Sequence, residues 1–204
     1  MAEVSKIRRR FLGGVVVAAA AGVAVFSGLS ALSRLSRTQS GHILIQSAEL
    51  QLMNDRWWFD YRASIDLPSD IRLGLESGVP LQFIVSLRVK KPVKFWRDET
   101  LLLAEHRIRL VYYELTRHYR IQIIGTNRGV NKRSLLSALD ELGTLEMMDV
   151  TKSVQNAGTL TDSTQSRIAT LSIELDQRAL PLPLQPLFSS DWQLASEEHI
   201  WRLS

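Results

Sequence analysis

Apolar and polar residues alternate with a period of two through most of the chain after residue 41, and this constrains the fold more than any other feature. Trp57, Phe59, Tyr61, Ala63, Ile65 and Leu67 hold one parity, with Trp58, Asp60, Arg62, Ser64 and Asp66 between them. The spacing repeats over 81–89, 102–112, 119–123 and 169–175. Side chains of an extended chain point alternately to opposite faces, so each run is a strand with one face buried and one in water, the kind found in antiparallel sheets. Ile43 and Ile45 lie on one parity while Ala48, Leu50 and Leu52 lie on the other, so the first strand changes face at a bulge near Ser47. A hairpin at 54–56 joins it to the second strand. Residues 192–203 give a broken strand pair.

Helical signals are few. Asn131 is placed to cap a helix with Leu135, Leu136, Leu139 and Leu142 on one face, ended by Gly143. A shorter helix is expected over 69–77, stopped by Gly78 and Pro80. The stretch 152–166, rich in Ser, Thr, Asn and Gly, reads as a mobile loop. About seven strands and two short helices predict a mainly β fold, an antiparallel β-sandwich over 42–204.

Ahead of that body, residues 11–33 form a run of 23 residues without a charge, long enough to cross a bilayer as a helix. Lys6, Arg8, Arg9 and Arg10 precede it, and Arg34 and Arg37 follow. The heavier positive flank stays in the cytoplasm. Segment 1–10 is therefore expected inside, 11–33 as a transmembrane anchor or uncleaved signal, 34–41 as a linker, and 42–204 outside. In a bacterium that is a single-pass inner-membrane protein with a periplasmic domain. A cleaved signal peptide ending near Ala31-Leu32-Ser33 and a twin-arginine signal at Arg8-Arg9-Arg10-Phe11-Leu12 share these residues and deliver the body to the same compartment.

Charge is distributed by segment. The chain as a whole carries +4, but residues 1–41 alone carry +5, so the basic character is that of the N-terminal appendage and does not indicate nucleic acid. Within the body, 42–85 is −3, 86–133 is +8 and 134–204 is −6. Such a pattern fits complementary segments lying near each other or on solvated faces.

Little in the sequence carries chemistry. No cysteine is present, which excludes disulfides, thiolate metal sites and a cysteine nucleophile. His42, His106, His118 and His199 form no metal-binding spacing, and no serine sits in a nucleophile elbow. The segment 125–134 is not a Walker loop, because Lys132 stands three residues after the second glycine. No catalytic residue, metal or cofactor is assigned. Arg128, Lys132 and Arg133 do crowd the start of the expected helix, where the dipole is already positive, so an internal carboxylate or a bound anion must answer them. Alternation turns Trp58 and Tyr113 outward as candidates for an exposed aromatic interface, and Phe95-Trp96, in the turn after Lys90-Lys91-Pro92, makes Trp96 a third candidate, at a recognition tip or a contact with the membrane surface.

The chain resembles a proteobacterial family of unknown function, the domain DUF4390. The likeness rests on Ser77-Gly-Val-Pro-Leu81, Tyr113-Glu-Leu-Thr-Arg-His-Tyr119, Leu180-Pro-Leu-Pro-Leu184 and Ser190-Asp-Trp192, and covers about 43–203. The resemblance implies an N-terminal signal or anchor and one exported domain. It also implies an envelope signalling or accessory role, since members are often encoded beside a nitrogen-regulation type sensor kinase. It brings no catalytic residues. The expectation is a non-enzymatic protein-binding or accessory module, held in the inner membrane through 11–33, with an envelope partner such as a sensor kinase. The alternatives are anion or lipid-headgroup binding at Arg128, Lys132 and Arg133, and a hydrolase with His106 or His118 as base beside Glu105 or Glu114.

Overall fold

The structure, a computed structural model, describes residues 41–127, 129–162, 164–180 and 193–203. The expected membrane helix at 11–33 lies outside the described residues, and among those described no helix is long and apolar enough to cross a membrane. In chain order the elements are β1 (His42–Met53), β2 (Arg56–Asp66), α1 (Ser69–Glu76), β3 (Leu81–Lys91), β4 (Glu99–Tyr113), β5 (His118–Ile123), β6 (Gly129–Lys132), α2 (Leu135–Leu142), β7 (Thr144–Asp149), α3 (Ala157–Thr161), β8 (Arg167–Leu175) and β9 (His199–Leu203). The fold is mainly antiparallel β, with three short helices among the described residues where two were expected.

The strands form two antiparallel sheets, one of order β1-β2-β7 and one of order β6-β5-β4-β3-β8-β9. Period-two alternation decides what each buries. Phe59, Tyr61 and Ile65 of β2, Phe83, Val85 and Leu87 of β3, and Leu171 and Ile173 of β8 enter one continuous apolar core, joined by Ile71 and Leu75 of α1 and by Ala138, Leu139 and Leu142 of α2. Burying each large side chain contributes about 1.5–3 kcal/mol. The register of β1 against β2 shifts between Ile45 and Ser47, which is how Ile43 and Leu50, seven positions apart, both face inward. Asn54 and Asp55 both take positive φ in the β1–β2 turn, a conformation short polar side chains tolerate.

Three local expectations need correction. Asn131 belongs to β6 and does not cap α2; Ser134 does, its hydroxyl accepting the Ser137 N–H at 3.2 Å. Leu136 is not on the buried face but 81% exposed, because a 3.6-residue period turns Ala138 inward instead. The stretch 152–166 is not a bare loop. Gln155 and Asn156 donate their N–H groups to the Leu101 carbonyl, the Asn156 side chain caps α3, and Leu160 is fully buried. Polar residues there satisfy backbone groups locally, which composition alone reads as a coil.

Gly143 ends α2 with a φ of −76°, so it is not required for left-handed backbone. Its role is close approach: Ala63 donates its N–H to the Gly143 carbonyl at 2.7 Å, and a Cβ on Gly143 would run into the Ala63 carbonyl oxygen. A similar approach holds Gly41 against Asp66 and Pro68, so the body begins at the junction of β2 and α1.

Candidate functional site

The catalytic candidates are not brought together. His106 lies on the inner face of β4 opposite Val85, where burial lowers its pKa and leaves Nε2 without a hydrogen-bond partner among the described residues. Glu105, one residue away, points to the other face and gives its carboxylate to Arg107 at 2.8 Å. His118 on β5 makes a short contact through Nδ1 with the Thr116 carbonyl, and Glu114 stands exposed in the preceding turn. Among the described residues neither His106 nor His118 meets a carboxylate, and no three acidic or imidazole groups are placed to hold a metal ion. A cleft of about 750 Å³ is walled by Glu49, Asp60 and Glu146 with Arg62 and Arg202. Asp60 is already engaged, accepting the Met147 N–H where β7 bulges.

The three aromatic candidates lie on three different elements. Trp58 is half-buried on the three-stranded sheet, between Gln51 and Asp149. Tyr113, 48% exposed, ends β4 on the six-stranded sheet. Trp96, 82% exposed, sits in the turn joining β3 to β4. The 15 residues of β4 separate the last two by about 45 Å at 3.3 Å per residue.

The β3–β4 tip also contains Phe95, fully exposed and with a φ of +63°. A bulky side chain in left-handed backbone costs on the order of 1–3 kcal/mol and is kept where surrounding structure or function demands it. The turn is closed by the Trp96 N–H donating to the Val93 carbonyl at 3.3 Å. Lys94 and Arg97 flank the pair, exposed and without an ion-pair partner among the described residues, while Lys91 below them meets Glu99 at 3.9 Å. The sequence marks the turn through the pair Phe95-Trp96; the left-handed backbone of Phe95 is legible only in the structure.

The basic candidates separate by what they face. Arg128 lies outside the described residues. Lys132 is answered by Glu141 of α2, Nζ to Oε2 at 2.8 Å, so the internal carboxylate expected for this cluster is found for that one cation. Arg133 faces elsewhere: with Tyr113, Thr116, His118, Arg120 and Asn131 it walls a shallow depression of about 470 Å³. Strand pairing assembles it, setting Tyr113 opposite His118 and Arg120 opposite Asn131. Arg120 was not legible as a site residue, because only the β5–β6 register carries it to Arg133.

Two ends of the body thus differ in chemistry. Gly41 packs at the start of α1, α1 leads to Leu81, and Leu81 pairs with Leu110, three residues before Tyr113. Glu76 and Arg72 of α1 act on the Tyr119 hydroxyl, whose pKa is raised chiefly by burial and next by Glu76, which places the helix at the same end. The depression lies at the Tyr113 end of β4, and the aromatic tip lies at the other end of that strand.

A family model described as Domain of unknown function (DUF4390) matches residues 40–202. No curated protein and no solved structure matches the chain.

Proposed function

The chain belongs to the DUF4390 family, and from that premise we propose that it is a non-enzymatic binding module of the bacterial cell envelope. Residues 11–33 anchor it in the inner membrane, and the body, an antiparallel β-sandwich, stands in the periplasm and engages a protein partner through the β3–β4 tip. The observation that carries this reading is Phe95, a large apolar side chain held fully exposed in a costly backbone conformation beside an exposed Trp96. Aromatic anchors of this kind dominate interface energetics when they enter a pocket on the partner. Lys94 and Arg97 favour a partner whose pocket is rimmed by carboxylates. Among the described residues neither His106 nor His118 has a carboxylate within ion-pair distance, the pairing that the hydrolase reading requires.

Quantitative affinity capture of the full chain from solubilised membranes tests this. A partner recovered with the native chain should fall at least about tenfold with Phe95→Ala/Trp96→Ala, as expected when two anchors are lost. Equal recovery with the double variant, or no partner above background, would remove the reading.

A further inference from the structure

We propose that the depression beside the β4–β5 turn, walled by Tyr113, Thr116, His118, Arg120, Asn131 and Arg133, binds a phosphate-bearing anion. This does not rest on the tip as a protein contact. All six lining residues bring hydrogen-bond donors or cations, and no carboxylate lies among them. Arg120 and Arg133 are exposed and have no ion-pair partner among the described residues, whereas the adjacent Lys132, on the other parity, is neutralised by Glu141. The fold therefore neutralises the cation facing α2 and leaves uncompensated the two guanidinium groups that converge on the depression. Like charges brought together repel, and an anion between them offsets that cost. Guanidinium groups offer paired donors in a planar fork that matches phosphate oxygens, and Tyr113, Asn131 and Thr116 supply neutral donors around them. A volume of about 470 Å³ accommodates a phosphomonoester or a phosphodiester headgroup.

Two sources present that chemistry, an anionic lipid headgroup and a soluble phosphate. Leu115, next in sequence to the lining residue Thr116, is a fully exposed apolar residue of the β4–β5 turn, which suits a bilayer surface. The chain contains no cysteine, so a single Leu115→Cys substitution in the full chain carries one environment-sensitive fluorophore at the rim. The labelled chain is reconstituted in phosphatidylcholine nanodiscs with and without phosphatidylglycerol. In phosphatidylcholine discs it is also titrated with inorganic phosphate at constant ionic strength, against chloride.

A blue shift confined to phosphatidylglycerol discs assigns the headgroup source, and a saturable response to inorganic phosphate assigns the soluble one. In either case Arg120→Gln/Arg133→Gln should weaken the response by more than about tenfold. Lys132→Gln should leave it in place, and a fluorophore at Trp96→Cys should report nothing. Retained cooperative melting shows that the double variant is folded, as expected for exposed, unpaired side chains. Absence of both responses, or a response unchanged in the double variant, overturns the proposal.

Discussion

Lys132 Nζ and Glu141 Oε2 lie 2.8 Å apart, joining the end of β6 to the last turn of α2. Both side chains are about one-third exposed, at 28% and 38%, so solvent screens the pair and its contribution to stability is at most about 1 kcal/mol. Glu141→Gln should lower the melting temperature by only a few degrees, as followed by circular dichroism. A loss above about 3 kcal/mol would mean that the pair is structural to a degree its exposure does not allow.

Gly143 and Gly78 offer a test of packing against backbone freedom. Gly78 has a φ of +89° and open space around it, so Gly78→Ala costs about 1 kcal/mol through strain alone. Gly143 has an ordinary φ, but its Cβ would meet the Ala63 carbonyl, so Gly143→Ala must displace α2 from β2 and costs about 2–3 kcal/mol. Urea melts of the two variants should rank them in that order; the reverse would refute the close approach.

At Phe95 stability and binding should move in opposite directions. Asparagine accepts left-handed backbone readily, and Phe95 buries nothing, so Phe95→Asn should stabilise the fold by about 0.5–1 kcal/mol while weakening partner recovery. A destabilised variant would show that the ring packs on the body.

His106 couples the core to pH. Burial holds its folded pKa below the ordinary 6.5, so the unfolded chain binds the proton first as pH falls. Its neutral, buried form is at no disadvantage above pH 6.5, and stability is lost as pH drops through that value toward the folded pKa. His106→Leu, which also removes the unpartnered Nε2, should flatten the stability curve between pH 7 and pH 5. An unchanged slope would place the titration elsewhere.

Much of the fold was legible because a single physical rule, alternation on an extended chain, operates in nearly every strand. Phe59, Phe83 and Ile173 are buried where the period places them. The rule weakens where the register breaks. β7 is not legible in the sequence because Met147 takes a φ of +52° at a bulge, so that only Leu145 and Met148 of its six residues are buried. The segment carrying α3 hides its order in side-chain caps, which composition cannot distinguish from a loop. Arg133 was marked by its clustering with Lys132, yet the two face different surroundings one residue apart. The partners of Arg133 in the depression come from strand pairing between distant segments, Arg120 to Asn131 and Tyr113 to His118, which no local pattern encodes. The charge pattern is segmented along the chain, and several of the central cations are solvated: Arg109, Arg120 and Arg133 are exposed without an ion pair among the described residues.

The central proposal, that the β3–β4 tip engages a partner protein, is tested most directly by site-specific photo-cross-linking in intact cells. A benzophenone side chain is placed at Phe95 in one full-length chain and at Leu115, at the opposite end of β4, in another. A discrete adduct with one protein at position 95, absent at position 115 and abolished by Trp96→Ala, is the predicted result. Adducts of equal yield at both positions, or none at position 95, would contradict it.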